Sequence, residues 1–375
     1  MSTPSRADVV IIGGGVIGAA TAFHLCRHGV TDVVLVERDV LASGSTSKSA
    51  GGIRLQFADE LNVRIMQRSI PEFERFAQMI GEHTTAPDIE FHQVGYLFVL
   101  TDPGDAADFA EAVRLQRSLG ADTVQLSAGD AADLVPGLVV DDVLMATFNA
   151  REGHCSPEAV VAGYGAAARV LGATIVQGAA ATAIEHRGGK VRGVTTSAGR
   201  VATSTVVCAA GAWAAQVGAT AGVDIPITAL RRHMWFTPDA CGLPESMPMT
   251  IDFATSFYAH RQGHGLVFGG KEDSLEQIGE HVTARLPMLV EAPITSTWSG
   301  FYEVSPDHNA IVGAVDELGG LYVAGGFSGH GFQQAPAIGE HLAELITGRQ
   351  PTLDLTALSA QRFRQGERRH ERFVV

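Results

Sequence analysis

Apolar residues along the chain gather into runs of two kinds. Val9-Val10-Ile11-Ile12, Val33-Val34-Leu35-Val36 and Leu321-Tyr322-Val323-Ala324 are short and rich in β-branched residues, with no regular polar alternation. Such runs read as strands buried on both faces, the habit of a parallel sheet. Ala19 to Arg27, Asp105 to Gly120 and Gln333 to Leu345 read as helices, and Leu61 to Met79 has helical spacing interrupted at Pro71. Trp235-Phe236-Thr237, Phe257 to His260 and Gly265 to Phe268 read as strands separated by turn residues. There is no internal repeat and no low-complexity segment.

The first strand ends in Gly13-Gly14-Gly15-Val16-Ile17-Gly18, and the second closes on Glu37, nineteen positions after Gly18. Strand, G-x-G-x-x-G, helix, strand and acidic residue in that order point to a bound dinucleotide far more specifically than glycine spacing alone. Gly13 permits the tight turn, Gly15 admits a pyrophosphate, and Gly18 lets helix and strand approach. The helix start offers free N–H groups to that anion. Glu37 can accept from ribose hydroxyls and would repel a 2′-phosphate, which leaves FAD and NAD both open. Ala42 to Phe57 is small, polar and glycine-rich, either an ordinary surface loop or backbone laid against a second part of the cofactor. A second glycine-rich strand-to-helix turn spans Gly325 to Phe332.

The 375 residues allow one or two domains. With 46% hydrophobic and 18% charged residues the chain is globular rather than disordered. Glycine stands out, at 43 residues where about 26 would be ordinary, and the surplus lies largely in the segments above. A net charge of −14 disfavours nucleic acid as a partner. Arg362, Arg364, Arg368, Arg369 and Arg372, interrupted by Glu367 and Glu371, read as a solvated helix end or tail. Cys26, Cys155, Cys208 and Cys241 have neither zinc nor disulfide spacing, so no metal site is expected and a cytoplasmic location is. Val9 to Cys26 lacks charge but carries four glycines and no basic leader, so no transmembrane segment is expected there.

Nearly the whole chain resembles the FAD-dependent amine and amino-acid oxidoreductases, which include glycine oxidase, sarcosine oxidase and D-amino-acid oxidase. The residues that carry the likeness are Gly13 to Gly18 with Glu37, Ser45 to Arg54, Val206 to Trp213, Tyr302 to Gly313 and Gly326 to Gln333. Gln333-Gln334-Ala335-Pro336 looks most like the branch of the sarcosine oxidase β subunit and the mitochondrial FAD-dependent oxidoreductase-domain protein. The resemblance implies an α/β fold in which a Rossmann-type FAD-binding domain (residues 1–80, 151–217 and 314–375) is interleaved with an α+β substrate domain. The latter (81–150 and 218–313) would be built on a mixed or antiparallel sheet. It also implies the cofactor contacts. Gly13, Gly15, Val16, Ile17 and Gly18 would take the pyrophosphate, Glu37 with Arg38 the adenosine ribose, and Ala181 the adenine. Ala210, Gly211 and Trp213 would return the chain past the cofactor. Ser45, Thr46, Ser47, Lys48, Ser49, Ala50, Gly51, Gly52, Ile53 and Gly300 would lie along the flavin, with Gly329, His330, Gly331, Phe332 and Gln333 at its pyrimidine edge.

Relatives oxidise a C–N bond by hydride transfer to the flavin, giving an imine that hydrolyses. The implied partner is a small amine, a secondary amine or an N-substituted or cyclic amino acid. Pocket residues carried over are Arg54, Tyr258, His260, Tyr302 and His330. Some positions depart from the pattern. Phe57 and Gln333 stand where a basic carboxylate clamp would sit, and Val267 replaces the lysine that helps oxygen react. Arg231, Arg232 and His233 form a basic cluster, either a substitute clamp or a solvated face. The acceptor is accordingly oxygen, a quinone or a carrier protein. Gly300, Ser49 and Pro157 occupy places where relatives link the flavin covalently, so FAD is expected to bind noncovalently. Two rivals share the scaffold, a 2-hydroxy-acid dehydrogenase and a flavin-bearing assembly protein without turnover.

Overall fold

The computed structural model describes residues 3–375. A six-stranded sheet runs Ile311–Ala314, Leu321–Gly325, Val206–Cys208, Val9–Ile12, Val33–Val36, Thr174–Val176. Its pairings are parallel except at the Ile311–Ala314 edge, with Val10 opposite Val206 and Ile11 opposite Leu35. Every residue of Val9–Ile12 and Val33–Val36 is buried, as an unalternating apolar run requires. Val9, Ile11, Val33 and Leu35 face helices Val16–Arg27, Pro157–Val170 and Gly331–Ile346. Val10, Ile12, Val34 and Val36 face a three-stranded meander, Ala181–Arg187, Lys190–Thr196 and Gly199–Ala202. The period of two thus sandwiches the sheet between unlike layers.

A second, eight-stranded sheet is mixed. Its order is Ser296–Val304, Thr228–Thr237, Gly265–Gly269, Phe257–Gln262, Met249–Asp252, Tyr96–Leu100, Met145–Asn149, Val124–Leu126. Only Met249–Asp252 against Tyr96–Leu100 is parallel. No helix among the described residues is long and apolar enough to cross a membrane.

Two sequence expectations are corrected. Pro71 does not interrupt its helix, which runs Glu60–Glu74 and breaks at Arg75 (φ −112°) before Phe76–Gly81. Ser69, Ile70 and Phe73 are buried on one face, and that packing outweighs the one backbone bond proline removes. The arginine-rich end is exposed at Arg364, Arg368, Arg369 and Arg372, as a solvated helix end requires, but not at Arg362. Arg362 is buried against Asp307, and Arg364, Arg369 and Arg372 pair with Glu317, Asp59 and Asp108. Only Arg362 leaves solvent, because its acidic partner arrives from a distant segment.

Strand Gly52–Ile53 pairs with Gly153–His154, and the His154 ring lies 4.2 Å from that of His260. Burial pushes His154 down to about 2 and His260 down to about 4. Both are neutral when folded and titrate near 6.5 when unfolded, so their contribution is complete above that pH and lost as pH falls. For His260 alone the loss reaches about 3 kcal/mol by pH 4. Urea midpoints should therefore fall between pH 6.5 and 4.5, less steeply in His260→Gln than in the parent.

Candidate active site

Strand Val9–Ile12 turns at Gly13 into helix Val16–Arg27, whose N-cap, Gly15, offers no side-chain oxygen. The uncapped helix start leaves backbone donors for a ligand. The Val16 N–H donates to Thr46 Oγ1 (3.1 Å), and the Gly14 N–H to Glu37 Oε2 (2.7 Å). Glu37 therefore ties the second strand to the glycine turn besides facing outward. A cavity of about 470 Å³ opens over this turn and extends to the eight-stranded sheet. Its wall includes Gly44, Ser45, Thr46, Lys48, Ser49 and Ala50; Ser45 Oγ donates to the Phe301 carbonyl at 2.6 Å, and Thr46–Lys48 forms a 3₁₀ turn. The Arg38 guanidinium stacks 3.6 Å over Trp213, and both line the cavity.

On the eight-stranded side stand Tyr96, Tyr258 and Tyr302 with Met234, Met249 and Ile251. Each tyrosine is seated on a glycine. A Cβ on Gly269 would stand 2.5 Å from the Tyr258 hydroxyl, one on Gly329 2.6 Å from the Tyr302 ring, and one on Gly52 would collide with the Tyr96 hydroxyl. Part of the glycine surplus therefore shapes this wall, not the nucleotide site. Burial pushes all three phenols up, so they are neutral hydrogen-bonding groups. Arg232 lies beside them, its guanidinium 5.5 Å from the Tyr302 ring centre.

Between the walls, Ser328 (φ 52°) and Gly329 (φ 96°) turn the chain into helix Gly331–Ile346. Arg54 donates to His330 Nε2 at 3.1 Å and to the carbonyls of Gln56 and Phe373, and it stacks 4.1 Å over Phe57. Burial, then the nearby Arg54 charge, holds His330 well below the ordinary histidine range. With Nε2 accepting from Arg54, the ring carries its proton on Nδ1 and has no free basic nitrogen. Arg54 itself is spent on protein partners. Below it, Glu152 accepts from Gln56 Nε2 (2.6 Å), and burial pushes it up to about 8. Glu303 also lines the cavity, pushed up to about 8 by burial, with one oxygen unpartnered.

Of the residues carried over as cofactor contacts, most line the cavity: Gly13, Gly15, Val16, Ile17, Glu37, Arg38, Ser45, Thr46, Lys48, Ser49, Ala50, Gly52, Ala181, Ala210, Gly211, Trp213, Gly300 and Gly329 to Gln333. Gly18, Ser47, Gly51 and Ile53 do not. A Cβ on Gly18 would collide with the Gly13 carbonyl, and one on Gly51 with the Cys155 carbonyl, so both serve close backbone packing. Arg54, Tyr258, Tyr302 and His330 are brought together; His260 stands outside the lining, against His154. It shares a strand face with Tyr258, but that strand runs on past the cavity. Tyr96, Met249, Ile251 and Glu303 were missed. Glu303 follows Tyr302 directly and could have been noticed as a charge inside an apolar strand.

The residues fit FAD on these observations: a helix start without a side-chain cap at a glycine turn, a carboxylate at the second strand end, and a cavity running on to a second glycine turn. A model described as FAD dependent oxidoreductase (DAO) matches residues 8–345. The chain belongs to that family. A solved L-proline dehydrogenase from P. horikoshii is 31% identical, covers 98% of this chain and 100% of its own, and superposes with a TM-score of 0.90. Mitochondrial sarcosine dehydrogenase of Mus musculus is 29% identical over 99% of this chain but only 43% of its own length. FAD-dependent oxidoreductase domain-containing protein 1 of Bos taurus is 28% identical over 99% of this chain and 88% of its own length. The chain thus spans less than half of the first of these curated relatives. FAD is the family's cofactor.

Proposed function

We propose that the chain binds FAD noncovalently and oxidises the C–N bond of a secondary amine or an N-substituted or cyclic amino acid. One observation carries this reading: a single cavity joins the Gly13–Gly18 turn to three neutral tyrosines across the His330 turn. Proline and sarcosine, named in the L-proline and sarcosine dehydrogenases, are secondary amines bearing a carboxylate, which supports the choice of C–N over a hydroxyl carbon. When bound, FAD supplies the two-electron acceptor for hydride from the carbon beside nitrogen.

The chain's own residues bind and orient. The six-stranded half holds the nucleotide through Gly13, Gly15 and Glu37, and the eight-stranded half presents the substrate wall. The phenols of Tyr96, Tyr258 and Tyr302 offer hydrogen bonds without charge, which orients a bound amine. His330 is tied to Arg54, which leaves the Glu303 carboxyl, pushed up to about 8 by burial and with one oxygen unpartnered, as the proton-accepting group of the cavity. The amine reacts in its unprotonated form, and the resulting imine meets water after release. Noncovalent attachment is supported by the lining, which holds no cysteine among the described residues and His330 as its histidine. Val267 is fully buried and stands outside the cavity lining, and the acceptor is oxygen, a quinone or a carrier protein.

The test is anaerobic mixing of the holoenzyme with matched N-methyl amino acids, proline and 2-hydroxy acids. Amines should bleach the oxidised flavin and hydroxy acids should not. The opposite pattern would establish the hydroxy-acid rival, and bleaching by neither would favour the assembly protein. Denatured protein should release all its flavin; colour retained on the chain would refute noncovalent binding.

A further inference from the structure

Arg232 lies on strand Thr228–Thr237 directly opposite Gly300 of Ser296–Val304, so both point to the same face. A Cβ on Gly300 would stand 2.6 Å from Lys48 Cβ, which places Lys48 over the same spot. Neither cation belongs to an ion pair among the described residues. Arg232 Nε is buried with no hydrogen-bond partner, and the side chain's one bond to protein, to the Arg231 carbonyl, is long at 3.4 Å. A guanidinium in the cavity wall whose buried Nε lacks a partner calls for an acceptor brought by the occupant.

The anionic group of FAD is its pyrophosphate, and the uncapped helix start at Gly15 faces that group from the other wall. Other candidates for holding an anion are already committed. Arg54 is bonded to carbonyls and to His330, and Gln333 Oε1 accepts the Arg54 N–H at 2.6 Å. We infer that Arg232, reinforced by Lys48, seats the carboxylate of the substrate, an assignment that rests on the amine-oxidation reading above. The planar fork meets both carboxylate oxygens. The free phenols of Tyr258 and Tyr302 beside it add uncharged donors. The seat selects amino acids over simple amines, and it holds the carboxylate by charge on the face opposite the nucleotide turn.

The test needs no turnover. Holoenzyme is titrated with benzoate and with benzamide, following the absorbance of the bound flavin. Benzoate should saturate a spectral shift, and benzamide should bind at least about 30-fold more weakly. Arg232→Gln should keep its flavin, lose benzoate affinity by a similar factor and leave benzamide unchanged, while Arg232→Lys should recover part of the loss. With a turned-over amino acid, KM should rise more than kcat falls. Equal binding of benzoate and benzamide, or unchanged benzoate affinity in Arg232→Gln, would overturn the assignment. So would an Arg232→Gln protein that purifies without flavin, because the guanidinium would then serve the cofactor. If no amine reduces the flavin, the benzoate titration still decides whether this anion seat exists.

Discussion

A Gly13→Ala chain is expected to purify without flavin and markedly destabilised. Gly13 has φ +112°, a conformation that side chains rarely adopt. Its added Cβ would stand 2.8 Å from the Ala209 carbonyl carbon, closer still to the oxygen, and 3.2 Å from Ala210 Cα. Those atoms are backbone at the end of strand Val206–Cys208, so they cannot swing aside. Relief requires the turn to lift, and helix Val16–Arg27 moves with it, displacing the donors meant for the pyrophosphate. The cost is on the order of 3 kcal/mol or more. The ratio of flavin to protein absorbance and the urea midpoint together check it. Gly29→Ala is the matched control: φ there is +93° with nothing within 4 Å of the added carbon. It should lose only about 1 kcal/mol and keep a full complement of flavin.

Arg362→Met should destabilise the chain by about 3–5 kcal/mol, because it strands a buried carboxylate. Asp307 is 0% exposed and Arg362 3%. Nε donates to Asp307 Oδ2 at 2.8 Å and a terminal nitrogen to Oδ1 at 2.9 Å, while the fork also reaches the Leu358 and Asn309 carbonyls. Burial alone would push the Asp307 carboxyl up; Arg362 and the Arg369 and Asn309 N–H groups hold it below its ordinary range. Its stabilising contribution is therefore present above about 3.8 and is lost as pH falls through the folded value. Adding Asp307→Asn to Arg362→Met should recover part of the loss, since the neutral amide no longer leaves a charge unpaired. Urea unfolding of the two single variants and the double variant measures the coupling. No recovery in the double variant would mean that Arg362 acts chiefly by packing.

These two positions mark the limits of what was legible in the chain. Gly13 was readable because a nucleotide turn is local: strand, turn and helix are contiguous, and each glycine's task follows from its neighbours. The parallel strands were equally plain, since burial on both faces leaves an apolar run without alternation. Arg362 was misread because its partner lies 55 residues away. Pro71 was misread because the face that holds its helix together is buried by packing, which propensity does not register.

The substrate wall shows the same division more sharply. Tyr258 and Tyr302 could be picked from the chain, but Tyr96 could not, because nothing near it in sequence hints that its hydroxyl is seated on Gly52. His260 shares a strand face with Tyr258, yet it falls beyond the cavity and packs against the His154 ring. Arg232 looked more like solvated charge than like a clamp until its opposite residue proved to be a glycine beneath Lys48. By itself the sequence determined the nucleotide turn, the acidic strand end and the family, because those depend on short-range backbone geometry. Tertiary structure alone decided which cations remain unpaired and which phenols meet in one cavity. Those properties belong to pairs of residues far apart in the chain, and a pair has no energy until the fold brings it together.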